Sequence, residues 1–249
     1  MRLELDNVRH VFSDNGYEAL HGVSVHIDEG ECVGIVGESG SGKSTLCEVI
    51  GGLLKPSAGT ALCDGKDIYS LRGDEWRRFR LSVQYIFQDP KASINPYFSL
   101  FSALYEPLRI KRPGLRRKEA AQLIVPMLHR LGLDEEILSR RVGEISGGQA
   151  QRIVIARSLL MESEVMIADE CVSALDLSIQ AQIMNIIADI HRQTGTGILF
   201  ISHDMGLVRW LCDRIYVMLH GRIVEELRSE NLPSGAKSEY TKLLLEASR

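Results

Sequence analysis

No stretch of the chain approaches the run of about 20 apolar residues that a helix needs to cross a bilayer, so the chain is not expected to form a channel by itself. An apolar leader is missing as well. The sequence opens Met1-Arg2-Leu3-Glu4-Leu5, which alternates as a strand does and lacks the continuous apolar stretch of a secretory signal; the expectation is a protein that stays in the cytoplasm. Cysteine is sparse and scattered. Cys32, Cys47, Cys63, Cys171 and Cys212 form no CxxC pair, which suggests neither a zinc site nor a disulfide framework and leaves core thiols as the expectation. Excess positive charge is also lacking: 29 Lys and Arg against 33 Asp and Glu give a formal net charge of -4, so the surface as a whole offers no reason to expect nucleic acid. The local basic cluster of Arg109, Lys111, Arg112, Arg116, Arg117 and Lys118 reads as a solvated helix face. Internal repeats and low-complexity tracts are absent.

What is present is an ordinary globular composition, with 45% hydrophobic and 25% charged residues over 249 positions, enough to bury one large core. Residues 2–9 and 22–27 read as strands around a polar turn at 13–16, and 31–36 as a short buried strand. A helix over 43–54 follows, stopped by Lys55-Pro56-Ser57-Ala58-Gly59. Extended pieces at 60–63 and 82–87 flank the charged segment 72–78. From 103 to 132 the pattern is helical, with breaks expected at Pro107, Pro113 and Pro126. Helices over 148–161 and 178–191 alternate with strands at 165–168 and 198–201, and 215–219 with 222–225 reads as a hairpin joined at His220-Gly221. Strand–helix alternation predicts an α/β protein with a mostly parallel, three-layer core, into which residues of about 90–145 insert helices.

Gly37-Glu38-Ser39-Gly40-Ser41-Gly42-Lys43-Ser44-Thr45 matches GxxxxGK[ST] between a predicted strand and a predicted helix, the context this phosphate loop requires. Its glycines let successive backbone N–H groups face phosphate, and the helix N-terminus adds favourable field. Lys43 is expected to reach the terminal phosphates and the Ser44 hydroxyl to take a position on Mg2+. The apolar run at 165–168 delivers Asp169 and Glu170 to a strand end, Asp169 suited to hold magnesium and Glu170 to polarise a water. Gln88 and His203 follow two other predicted strands and offer polar groups for the γ-phosphate.

The order of these motifs resembles the nucleotide-binding domains of ATP-binding cassette (ABC) transporters, over essentially the whole chain. Ile145-Ser146-Gly147-Gly148-Gln149 is similar to the family signature, with Ile145 where Leu is usual, a mild apolar change. The resemblance implies a P-loop NTPase of ABC type, with an antiparallel β portion and an inserted helical subdomain. As one domain over 1–249, it would have its nucleotide-binding core at about 1–87 and 159–226, the glutamine loop and helices at about 88–158, and a helical tail at about 227–249. It further implies that Ser146, Gly147, Gly148 and Gln149 contact ATP held by the phosphate loop of an opposite subunit, in two composite sites. Gln88 would approach magnesium and water, Ser173-Ala174-Leu175-Asp176 would cross the interface with Asp176 as its acid, and His203 would contact the γ-phosphate beside Glu170. An aromatic near 12–17 should stack on adenine: Phe12 is placed like the usual residue, and Tyr17 competes with it. Cys171-Val172 stands where Pro-Thr is common, a change that removes no group needed for hydrolysis of ATP with Mg2+.

Within the family, the run from Phe87-Gln88-Asp89-Pro90 to Asn95-Pro96 resembles a segment of the oligopeptide, dipeptide and nickel importer group, as does Glu239-Tyr240-Thr241 with Leu243-Leu244-Leu245. That resemblance implies two transmembrane permease subunits, a second, nonidentical ABC ATPase subunit, an external solute-binding protein, and a peripheral place on the cytoplasmic face of the membrane. Peptides are the first expectation for the solute and a nickel or metal–chelator complex the second; a soluble, non-transport ABC ATPase is the reading of a different class. No cysteine follows Cys212, which argues against an iron–sulfur site in the tail. Ile94, Tyr97, Phe98, Leu100 and Phe101 are candidates for a groove that receives a permease helix.

Overall fold

The computed structural model describes residues 1–173 and 175–247. Among these, the strands form two sheets. The smaller is antiparallel and runs in the order β2 (Glu18–Ile27), β1 (Leu3–Val11), β4 (Ala58–Cys63), β5 (Lys66–Asp67). The larger has the order β10 (Arg222–Arg228), β9 (Arg214–Leu219), β3 (Cys32–Val36), β8 (Gly197–Ser202), β7 (Val165–Asp169), β6 (Val83–Ile86). Its pairings are parallel apart from the β9–β10 hairpin at one edge.

Period-2 alternation explains how one sheet serves two cores. Val33 and Ile35 of β3, Val165 and Ile167 of β7, and Leu199 and Ile201 of β8 turn toward α1 (Lys43–Ile50) and the antiparallel sheet. Their neighbours Cys32, Val36, Met166, Ala168, Ile198 and Phe200 turn to the other side, into a second core that is covered by helices. Every side chain of β3 is buried, because both faces of the strand are covered. Gly34 permits this: a Cβ there would lie 2.1 Å from Val208 Cγ1 of α7 (Met205–Leu211), so only hydrogen allows that helix to approach.

Several elements depart from the sequence expectation. The charged segment before β6 is helical, as α2 (Gly73–Ser82); Phe79 is its buried anchor and Trp76 stacks on it at 5.6 Å. Pro113 lies at a break, but Pro107 sits inside α3 (Leu100–Lys111) and Pro126 inside α4 (Arg117–Arg130). Each proline removes one backbone donor, and the helices continue because Leu104, Leu108, Ile124 and Leu128 are fully buried on either side. α5 (Gly147–Leu160) and α6 (Leu177–Thr194) follow the expected positions. β10 reaches Arg228, beyond residue 226, and a turn leads to α8 (Glu239–Ala247).

All five cysteines are buried. The basic cluster is partly consumed within the chain: Lys111 and Arg112 pair with Glu162, and Arg117 lies over the Phe101 ring at 4.6 Å. No helix among the described residues is long and apolar enough to cross a membrane.

Candidate nucleotide site

Four neighbouring strands, β3, β8, β7 and β6, run parallel, so the loops after them emerge at one edge of the sheet. Open α/β sheets bind ligands at that carboxyl edge. The loop after β3 is the phosphate loop, the one after β7 carries Glu170, and those after β8 and β6 carry His203 and Gln88. Together they bound a cleft of about 560 Å³ lined by Tyr17, Ala19, Gly37, Glu38, Ser39, Gly40, Gly42, Lys43, Ser44, Thr45, Gln88, Glu170, His203 and Leu244.

The loop is held from outside. Gly221, at the β9–β10 turn, donates its N–H to Ser41 O at 2.9 Å and accepts the His21 N–H at 2.9 Å. Gly42 caps α1 with φ 100° and no side-chain hydrogen bond, and a Cβ there would lie 2.6 Å from Ala19 O. That cap leaves the first N–H groups of α1 for a ligand rather than for a side chain of the chain. Lys43 is only 5% exposed, and its Nζ donates to Gly37 O and Glu38 O, each at 2.8 Å. Burial lowers its pKa, while the Glu170 and Asp169 carboxylates act the other way and favour the ammonium.

Glu170 follows β7 with φ 46°, a left-handed conformation that a non-glycine residue holds at a cost of about 1–3 kcal/mol. Its N–H bonds Ile201 O at 3.1 Å. Its Oε2 accepts the Gln88 Nε2–H at 3.1 Å, and its Oε1 lies 3.8 Å from His203 Nδ1. Thus the structure brings Gln88 and His203 each to one oxygen of the Glu170 carboxylate. Asp169, 4% exposed, does not line the cleft itself; its Oδ2 accepts the Tyr85 hydroxyl at 3.0 Å. Burial raises the Asp169 pKa, opposed by the nearby Ser44 hydroxyl and by the Tyr85 hydrogen bond.

Asp169 Oδ1 is buried with no hydrogen-bond partner among the described residues. A buried carboxylate oxygen without a partner fits a cation or its water, and with Ser44 beside it the donor set is the hard-oxygen type that Mg2+ takes. No group of three His, Cys, Asp or Glu among the described residues could hold a metal, so such an ion would depend on Ser44, Asp169 and the phosphates themselves.

The two candidate aromatics are separated. The Phe12 N–H bonds Tyr17 O at 2.9 Å and closes a tight loop, with Tyr17 N–H on Asn15 Oδ1. Tyr17 projects to the cleft and is 54% exposed, whereas Phe12 packs edge-on against His10 at 4.8 Å and does not line it.

The signature residues lie elsewhere. Ser146 caps α5: its Oγ accepts the Gln149 N–H at 3.2 Å, and Gln149 Oε1 accepts the Ser146 N–H at 3.0 Å. Gly148 lies against Leu175, and Asp176 caps α6 through the Ile179 N–H at 3.0 Å. Ser146, Gly147, Gly148, Gln149 and Asp176 do not line the chain's own cleft, and Ala174 of that interface segment lies outside the described residues. Ser41, within the phosphate loop, is buried and does not line the cleft. Sequence reasoning did not single out Ala19, Tyr85 or Leu244. Of these, Tyr85 carried the one local signal, an aromatic with Phe87 on the same side of a strand aimed at the cleft, and the two rings stack at 4.3 Å.

Comparison with known proteins agrees with this arrangement. The family model described as "ABC transporter" matches residues 20–173. The oligopeptide transport ATP-binding protein OppF of Salmonella typhimurium is 42% identical over 230 residues, covering 92% of this chain and 69% of that protein. OppF of Haemophilus influenzae is 40% identical over the same shares. Among solved structures, a dimeric ATP-binding cassette in a post-hydrolysis state bound to ADP and Pi superposes with a TM-score of 0.84 at 29% identity, covering 91% of this chain and 98% of that one. The cbiO1 subunit of Clostridium perfringens, part of the cbiONQ transporter complex, gives 0.77 at 28% identity, covering 98% and 93%.

Proposed function

The chain belongs to the ABC transporter family, and on that premise we propose that it binds MgATP in this cleft, hydrolyses it, and energises a membrane importer of di- or oligopeptides. The observation that carries the ATPase reading is the convergence of Lys43, Gln88, Glu170 and His203 on a phosphate loop at one sheet edge. The names of the OppF relatives support the peptide reading.

The roles follow from position. The N–H groups of the loop and of α1 hold the β- and γ-phosphates, and Lys43 exchanges its carbonyl partners for phosphate oxygens. Ser44 and Asp169 would hold Mg2+, which supplies neutralisation of phosphate charge. Glu170 orients a water and takes its proton; Gln88 holds the carboxylate from one side, and His203 reaches toward the γ-phosphate from the other. Tyr17 takes the adenine ring in preference to Phe12, since it alone of the two faces the cleft.

The signature end of α5 does not line this cleft, which supports a head-to-tail pair in which Ser146, Gly147, Gly148 and Gln149 close over ATP held by a second, nonidentical ATPase subunit. Two permease subunits and an external solute-binding protein complete the assembly, with this chain peripheral on the cytoplasmic side. In the segment offered as a permease groove, Ile94 and Leu100 are core, whereas Tyr97 is 83% exposed and is the side chain best placed to meet a permease helix. Affinity purification of a Glu170→Gln variant from native membranes with MgATP, followed by mass spectrometry, tests the proposal. Two membrane subunits and a second ATPase are expected; ribosomal or DNA-bound companions without membrane subunits would refute import and leave the ATPase.

A further inference from the structure

The segment around Tyr240 takes no part in the chemistry above, yet the fold lays it on the nucleotide cleft. The Tyr240 hydroxyl of α8 accepts the backbone N–H of Glu38, inside the phosphate loop, at 2.9 Å and from 202 positions away in sequence. Leu244, one helical turn further on the same face, lines the cleft with Lys43, Glu170 and His203. Between them Thr241 is fully buried, and Tyr240, Leu244 and Leu245 pack on the larger core. Just before the helix, Glu225 of β10 accepts the N–H groups of Lys237 at 2.7 Å and Ser238 at 3.1 Å. The helix is therefore fixed to β10 just before its first turn and to the phosphate loop along one face.

A glycine-rich loop loses much conformational freedom when it closes on an anion. A contact that fixes part of the loop beforehand lowers that cost and raises affinity without touching the ligand. Glu38 N–H, engaged by Tyr240, gives the loop one such point; Gly221 on Ser41 O gives another. We propose that α8 is a positioning element of the nucleotide site: Tyr240 fixes the loop through Glu38 while Leu244 walls the cleft, so that docking of α8 and binding of a nucleoside di- or triphosphate favour one another. The proposal rests on the reading of the cleft as a nucleotide site. Linkage makes it reciprocal: the factor that docked α8 adds to nucleotide affinity is the factor by which nucleotide holds α8 down.

Tyr240→Phe keeps the ring and removes only the hydroxyl. Titrated with MgADP, the variant is expected to bind about threefold to tenfold more weakly, the range one hydrogen bond is worth. Its KM for MgATP should rise by a similar factor, and kcat should fall by less. Lys242→Ala, on the exposed side of the same helix, is the control and should bind as wild type does. As a second measurement, MgADP should slow hydrogen exchange of residues 239–247 in the wild type, and slow it less in Tyr240→Phe. An unchanged Kd in Tyr240→Phe would overturn the proposal even if Tm fell, because a purely structural contact lowers Tm alone; exchange of α8 indifferent to MgADP would overturn it too. Lys43→Ala separates the two readings. If it abolishes MgADP binding while Tyr240→Phe leaves binding intact, the nucleotide site stands and the positioning role falls. If wild type itself fails to bind MgADP, both fall.

Discussion

Two helix N-termini in this chain carry the anion-binding roles proposed above, and they are finished differently. At α1 the cap is Gly42, in a left-handed conformation with no side chain to occupy the free N–H groups. At α5 the cap is Ser146, and a reciprocal pair with Gln149 satisfies one donor at each end of the box. The first end faces a cleft that holds a lysine and a carboxylate; the second is exposed and does not line that cleft. One end thus has backbone donors left for a ligand, whereas the other is capped as it stands; on the proposed reading its Ser146 hydroxyl, whose oxygen accepts the Gln149 N–H, still has its own O–H to donate to a phosphate brought by another subunit. If the pair forms as proposed, the two halves of its composite site can be told apart by their capping alone.

The largest expected effect breaks the first half at its chemistry. Glu170→Gln should lower turnover of the assembled ATPase by about 10²–10⁴-fold, the usual worth of a positioned general base, while MgATP binding persists. Turnover near wild type would reassign the base. Lys43→Ala is next: loss of a charge-assisted contact should weaken MgADP binding by about 10–100-fold. Equilibrium titration checks it, and undiminished affinity would remove Lys43 from the site. Tyr17→Ala should cost at least about fivefold in nucleotide affinity, as loss of one base–aromatic stack does, and Phe12→Ala distinctly less. The reverse ranking would return the adenine to Phe12.

How much of this was legible in the sequence depends on whether the signal was local. The phosphate loop, Glu170 and the alternating strands were readable, because a loop geometry that needs glycine and a buried strand that needs apolar residues each leave a mark within a few positions. α2 was not: it is charged almost all round, and only Phe79 of its ten residues is buried, so no helical stripe exists to be seen. The prolines at 107 and 126 misled for the opposite reason, since local propensity was overridden by packing that only the fold supplies. The separation of Phe12 from Tyr17 hangs on one backbone hydrogen bond and on His10, and Tyr240 meets Glu38 only through tertiary structure. Contacts across some 200 residues have no period and no spacing to betray them.

The smallest effect sharpens the comparison most. Ser146→Ala removes the cap of α5, and loss of such a cap costs about 1 kcal/mol of stability. The isolated chain should melt a few degrees lower, as calorimetry would show, yet bind MgADP as wild type does, because the residue lies outside its own cleft. In the assembled complex the same change should lower turnover, since on the proposed reading the Ser146 O–H is the donor offered to the nucleotide of the other subunit. Gly42→Ala inverts the pattern: a Cβ 2.6 Å from Ala19 O and a φ of 100° should weaken nucleotide binding in the isolated chain. If Ser146→Ala weakened binding in the isolated chain, the signature would serve its own cleft, and the division of the two helix ends between two subunits would be wrong.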